Sequence, residues 1–141
     1  VKTDKKARIL IVDDEEEIRK TLSRHFKFDG YNVDTAENGV KALNIMAKKR
    51  MEVVITDIMM PQMTGIELLK EIKKQYPMTH VIVITGYVTM ENLLAALRRG
   101  ADTCIFKPIH DMAELENAVI CAIEHLNTWQ KKLMELKGLK G

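Results

Sequence analysis

Asp13, Asp14, Asp57, Thr85 and Lys107 are the residues of this chain whose types could do chemistry together. Each stands at the end of a short apolar run. Three carboxylates gathered in one place repel and raise one another's pKa. A hard divalent cation removes that conflict, and Mg²⁺ is typically held by one or two carboxylates with waters and phosphate oxygens. A lysine's compact charge suits a phosphoryl group or an ion pair with Asp57. The Thr85 hydroxyl can donate to a phosphoryl oxygen, and Gly86 beside it leaves that oxygen room to approach. The chemistry that fits the set is attack of a carboxylate on phosphorus, with metal and lysine neutralising the group in transfer. Its product would be an acyl phosphate on Asp57.

Those residues meet only if the apolar runs before them are neighbouring strands. Residues 9–12, 53–56 and 81–84 are unbroken and rich in β-branched side chains, as strands buried on both faces of a parallel sheet are. Residues 31–35 alternate apolar and polar and read as a half-exposed edge strand. Residues 103–106 supply a fifth strand. Between them apolar residues recur at helical spacing: Ile18, Leu22 and Phe26; Val40, Leu43 and Met46; Ile66, Leu69 and Ile72. Gly30 and Gly100 mark helix ends, Asn38-Gly39 a helix start, and Asp111 and Glu114 candidate caps for the last helix. Thr64 with Glu67 three residues on forms a capping box. Five strands alternating with five helices predict an α/β fold, a doubly wound parallel sheet covered on both faces. Right-handed crossovers and an edge position for the second strand give the flavodoxin-like order 2-1-3-4-5. All carboxyl ends of the strands then lie on one edge, where such sheets bind ligands.

Length and composition agree. The chain has 141 residues, 46% of them hydrophobic and 30% charged, which predicts one globular domain. A net charge of +2 is too small to argue for direct binding to nucleic acid or a membrane surface. No apolar run approaches the length of a membrane span, and no signal peptide is recognisable, so a cytoplasmic setting is expected. The chain starts with Val, which suggests a piece of something longer. Cys104 and Cys121 lack metal-ligand spacing and are expected to be buried free thiols. His25, His80, His110 and His125 share no motif and read as surface or helix-face residues. The methionines at 59, 60 and 63 read as loop packing, because soft thioethers find no other soft ligand nearby.

The segments Ile-Leu-Ile-Val-Asp13-Asp14-Glu15, Thr-Asp57-Ile-Met-Met-Pro61 through Gly65, Val-Ile-Thr85-Gly86 and Phe-Lys107-Pro108 together resemble the receiver domain of two-component response regulators. The similarity runs over about residues 7–126. It implies that Asp57 is the phosphoacceptor, supplied by a phosphohistidine on a sensor histidine kinase. It implies that Asp13 and Asp14 hold Mg²⁺ with Asp57 and the backbone carbonyl of Met59. Lys107 matches the lysine that contacts the phosphoryl group, and its bond to Pro108 is cis in many relatives. Thr85 matches a switch hydroxyl that moves toward the phosphoryl oxygen. The family usually has Tyr or Phe three residues before the lysine; here that position is Cys104. Tyr87 is then the nearer aromatic that could move, and Phe106 is not expected to substitute. Met59 and Tyr87 match the positions that tune water access to the acyl phosphate, and their bulk implies slow self-hydrolysis. The implied protein is a phosphorylation-controlled switch rather than a turnover enzyme. The changing surface would be the fourth helix, fifth strand and fifth helix, about residues 90–126.

The last helix carries a further pattern. Met112, Leu115, Val119, Ala122, Leu126, Trp129, Leu133 and Leu136 are spaced 3, 4, 3, 4, 3, 4, 3, a heptad seam. Packing on the sheet accounts for the first four or five. The last three fall beyond the expected domain, so residues 1–126 read as the domain. Residues 127–141 read as a helical extension or linker toward a second copy or an output domain missing from this chain. Gly138 and Gly141 mark where helical order should fail. Two rivals stay open. A phosphatase with an aspartate nucleophile would want an acid two residues past it, where Met59 stands. A receiver-like module that is never phosphorylated would draw support from Cys104.

Overall fold

A computed structural model describes residues 7–87 and 89–140, with side chains through Gly138 apart from residue 88. The elements, in chain order, are β1 (Arg8–Val12), α1 (Glu16–Phe28), β2 (Asn32–Ala36), α2 (Gly39–Met46) and β3 (Val53–Asp57). There follow α3 (Gly65–Gln75), β4 (His80–Thr85), α4 (Met90–Arg98), β5 (Thr103–Phe106) and α5 (Met112–Lys140). The five strands form one sheet in the order β2-β1-β3-β4-β5, with every pair parallel. The expected fold class and strand order are therefore found, with strand bounds shifted by a residue or so.

Alternation along the strands divides the core between two faces. Ile9, Ile11, Ile55, Ile82 and Ile84 pack with Leu22 and Phe26 of α1 and with Leu115, Val119 and Ile123 of α5. Leu10, Val12, Val54 and Val81 pack with Ala42 and Met46 of α2 and with Leu68, Leu69 and Ile72 of α3. Because both faces are covered, β1, β3 and β4 have no polar face to show, which is why their sequences are unbroken apolar runs.

The register then sets the site. Val12 pairs with Thr56, so Asp13 and Asp57 follow side by side. Thr85 pairs with Phe106, which puts Lys107 next beyond it on the same edge. The chain leaves β3 through a tight loop. The Met63 N–H donates to the Pro61 carbonyl at 2.8 Å. Gln62 between them has φ 72°, the positive value that a γ-turn of this hand requires. Thr64 then caps α3: its hydroxyl accepts from the Glu67 N–H at 3.1 Å, and the Glu67 carboxylate accepts from the Thr64 N–H at 2.8 Å.

Gly65 is required by close approach. A Cβ there would stand 1.9 Å from the carbonyl oxygen of Asp57, and the Gly65 N–H donates to the Ile58 carbonyl at 2.8 Å. Backbone cannot yield as a flexible side chain does. Gly65→Ala is expected to lower stability by about 3 kcal/mol, the upper end of ordinary overpacking, and to displace Asp57. Urea unfolding together with phosphoryl uptake would check it; a wild-type midpoint would refute the contact.

Three expectations need correction. Helix α5 does not stop at Gly138 but continues to Lys140. A single glycine costs a helix only about 1 kcal/mol. Gly141 lies outside the described residues. Cys121 is exposed on α5 rather than buried, while Cys104 is half-buried; both are free. Cys121 falls between the seam positions Val119 and Ala122, so it turns away from the sheet. The histidines are also less solitary than expected. His25 Nε2 approaches Glu116 at 2.5 Å, His80 Nδ1 approaches Asp102 at 2.7 Å, and the His80 and His125 rings lie 5.2 Å apart.

Candidate functional site

Three aspartate carboxylates and one ammonium meet at the carboxyl edge of the sheet, with Glu15 beside them. Lys107 reaches from the end of β5 and donates to Asp13 Oδ2 at 2.8 Å, Asp57 Oδ2 at 2.9 Å and Glu15 Oε1 at 3.0 Å. Asp13 and Asp57 are buried, and Asp14 faces solvent. One carboxylate oxygen from each of Asp13, Asp14 and Asp57 lies within 4.8 Å of the others. Asp57 is further held by the Ile58 N–H, which donates to its Oδ1 at 2.7 Å. Asp13 is held by the Glu15 N–H at 2.9 Å, while the Arg19 guanidinium donates to the Asp13 carbonyl at 2.7 Å. Asp14 does not cap α1: the cap position is Glu15, without a side-chain hydrogen bond.

Electrostatics follow from this crowding. Burial works against the charge on Lys107, but its hydrogen bonds to Asp13, Asp57 and Glu15 outweigh that and hold its pKa far above the usual lysine range. Burial lifts the Asp13 carboxyl above its usual value, although Lys107 and the Glu15 N–H pull it down; the Asp57 charge adds to the rise. One lysine thus leaves the acidic set with negative charge in excess. That donor set, all oxygen and partly open through Asp14, fits a hard cation such as Mg²⁺.

The Asp13 shift has a sign. The folded protein holds that proton more tightly than the unfolded chain, whose value is near 3.8. In metal-free protein this group therefore subtracts stability as pH rises through its folded pKa. Asp13→Asn is expected to unfold at a higher urea concentration than wild type at neutral pH in EDTA, with the gap closing toward pH 4. The reverse ranking would contradict this charge balance.

Thr85 is buried at the end of β4, and its hydroxyl accepts from the Tyr87 N–H at 3.0 Å. The Lys107 N–H donates to the Thr85 carbonyl at 2.8 Å, tying the two strand ends together. The Lys107–Pro108 bond is cis. A Cβ at Gly86 would meet Lys107 Cβ at 3.6 Å and its Cδ at 4.0 Å, ordinary contacts. Tyr87 and Met59 are both about half exposed, flanking the edge rather than filling it. Cys104 is half-buried against the small cluster of Ile58, Val83 and Ala96. Phe106, two residues on, shares its face, and both line a cavity of about 380 Å³ with Leu93 and Leu97 of α4. Phe106 is thus an aromatic on the Cys104 side of β5, about half exposed.

Sequence reasoning missed Glu15 as a partner of Lys107, and missed Arg19. Glu15 directly follows the acidic pair, which was the available signal. Its reach across to β5 depends on how α1 leaves the sheet.

The acidic cluster, lysine and threonine thus share the carboxyl edge of a doubly wound α/β sheet, where such folds bind ligands. The family model for the response regulator receiver domain matches residues 9–120, and the chain belongs to that family. It is 40% identical over 129 residues to the regulatory protein AtoC of Escherichia coli strain K12, covering 92% of this chain and 28% of AtoC. The chain thus spans well under half the length of such relatives. Among solved structures, TrrA of Thermotoga maritima in complex with Mg²⁺-BeF is 35% identical with a TM-score of 0.74. That match covers 82% of this chain and 98% of TrrA. The beryllofluoride-activated NtrC4 receiver domain dimer is 31% identical with a TM-score of 0.79, covering 84% and 98%. This is a regulatory domain of two-component signalling, and among the described residues no helix is long and apolar enough to cross a membrane.

Proposed function

We propose that the domain takes a phosphoryl group onto Asp57 from a histidine kinase in a Mg²⁺-dependent reaction, and that this drives its switch. The observation that carries the reading is Lys107 bridging Asp13 and Asp57 within 3 Å beside a third carboxylate. Asp13, Asp14 and Asp57, with the Met59 carbonyl, would hold Mg²⁺, which when bound supplies countercharge to the entering phosphoryl oxygens. Asp57 Oδ2, held by the movable Lys107 ammonium while Oδ1 keeps the Ile58 N–H, is the candidate nucleophile: its O–P bond forms as the P–N bond to the kinase phosphohistidine breaks and that imidazole leaves. Lys107 then exchanges its bond to Asp57 for one to the phosphoryl group. Thr85 releases the Tyr87 N–H and turns its hydroxyl to the same group. Tyr87 and the α4–β5–α5 face follow, with Phe106 supplying the ring that Cys104 lacks.

The test is amide NMR with Mg²⁺ and beryllofluoride, a mimic of the phosphoryl group. Expected are shifts at Thr85, Gly86, Tyr87 and Phe106 in wild type and none in Asp57→Asn. Unchanged spectra in wild type would favour the module that is never phosphorylated.

The extension is read as a pairing helix. α5 has 29 residues and is about 43 Å long. Leu126 is buried, whereas Trp129, Leu133 and Leu136, which continue the heptad seam, are each 54% exposed. A parallel second copy would cover them. The chain is expected to sediment as a dimer at tens of micromolar, and Leu133→Lys as a monomer with unchanged phosphoryl uptake. A monomeric wild type would assign the seam to an output domain instead.

A further inference from the structure

A second set of ligand side chains meets away from the sheet edge, between α1 and α5. His25 and Asp29 stand one turn apart on α1 and share a face. Glu116 comes from α5. His25 Nε2 lies 2.5 Å from Glu116 Oε2 and 3.7 Å from Asp29 Oδ2. One ligand atom from each residue falls within 4.8 Å of the others. The Phe26 ring stands at 85° to the imidazole, with centroids 5.2 Å apart.

The charge of this cluster is unbalanced. Asp29 caps the C-terminus of α1, where the helix dipole disfavours a carboxylate. Among the described residues, neither Asp29 nor Glu116 forms an ion pair with Lys or Arg. Two carboxylates therefore converge on one imidazole.

We propose that His25, Asp29 and Glu116 form a second cation site, one for a borderline divalent ion of the Zn²⁺ class. One imidazole nitrogen and two carboxylate oxygens are a ligand set that Zn²⁺ accepts. At its bond lengths, tetrahedral ligands stand roughly 3.3 Å apart. The His25–Asp29 separation is close to that, and Glu116 has to open by under about 1 Å, giving up its hydrogen bond to His25. The side chains are 29%, 32% and 36% exposed, which leaves a fourth position to water. Mg²⁺ prefers oxygen ligands in octahedral array and is directed to the aspartates instead. The two sites thus sort cations by hardness. Zn²⁺ would clamp α1 to α5, the helix that continues past the domain.

The test is calorimetric titration of Zn²⁺ into the full chain in saturating Mg²⁺, with melting followed in parallel. Wild type is expected to take up one equivalent, and Tm to rise by on the order of 10 °C at a hundredfold excess over Kd. His25→Ala and Glu116→Gln should each weaken binding by at least about tenfold, with far-UV circular dichroism and phosphoryl uptake unchanged. Glu116→Gln keeps the side-chain volume, so it remains informative where His25→Ala perturbs packing. A double His80→Ala, His125→Ala variant should keep the full equivalent. No uptake by wild type, or loss in that double variant with retention in His25→Ala, would overturn the assignment.

Discussion

Asp57→Asn is expected to leave a folded domain that takes up no phosphoryl group from acetyl phosphate, a loss of more than about a thousandfold. The amide keeps the carboxylate's shape, and its oxygen can still accept from the Ile58 N–H, so the β3 loop should persist. What disappears is the anionic oxygen on Lys107, the candidate nucleophile. The change also removes one of three crowded negative charges, so in EDTA the variant should be at least as stable as wild type. Chemical denaturation and mass analysis measure the two effects separately. Residual uptake at the wild-type rate would place the phosphoryl group elsewhere.

Lys107→Ala should give the next largest effect, and in two quantities at once. Its ammonium is the counter-charge within 3 Å of Asp13 and Asp57, and its side chain is only 11% exposed. Removing one partner of a buried ion pair typically costs about 3 kcal/mol or more. Glu15 adds little to that sum, because its side chain is mostly in solvent. The metal-free variant should therefore unfold at a clearly lower urea concentration. Mg²⁺ should restore most of the difference, since it supplies the missing positive charge. Phosphoryl uptake should still fall by about 10²-fold even in Mg²⁺, the usual scale for loss of one preorganised electrostatic contact. If Mg²⁺ restored uptake as well as stability, Lys107 would be structural only.

Much of this site is legible from residue types alone. Parallel strands buried on both faces must be apolar runs, so β1, β3 and β4 announce themselves, and their ends point to Asp13, Asp57 and Thr85. The Thr64–Glu67 box fixes where α3 begins, and so confines the loop behind Asp57. Other features depend on distances that no local pattern carries. Glu15 reaches Lys107 across 92 positions of chain. His25 meets Glu116 across 91. The alternation of β5 gives Cys104 and Phe106 one face. Their common cavity exists only because α4 lies over that face with Leu93 and Leu97. Gly138 shows the opposite limit: a poor local helix former is carried along by the long helix around it.

Asp57, assembled with Asp13, Asp14 and Lys107, is the proposed phosphoacceptor of this receiver domain. Its most direct test is the intact mass of the protein after incubation with acetyl phosphate and Mg²⁺, followed by peptide mapping. The expected result is a gain of one phosphoryl group, lost in EDTA and located on Asp57. A wild-type protein that gains no mass in Mg²⁺, or one whose added group maps to another residue, would contradict it.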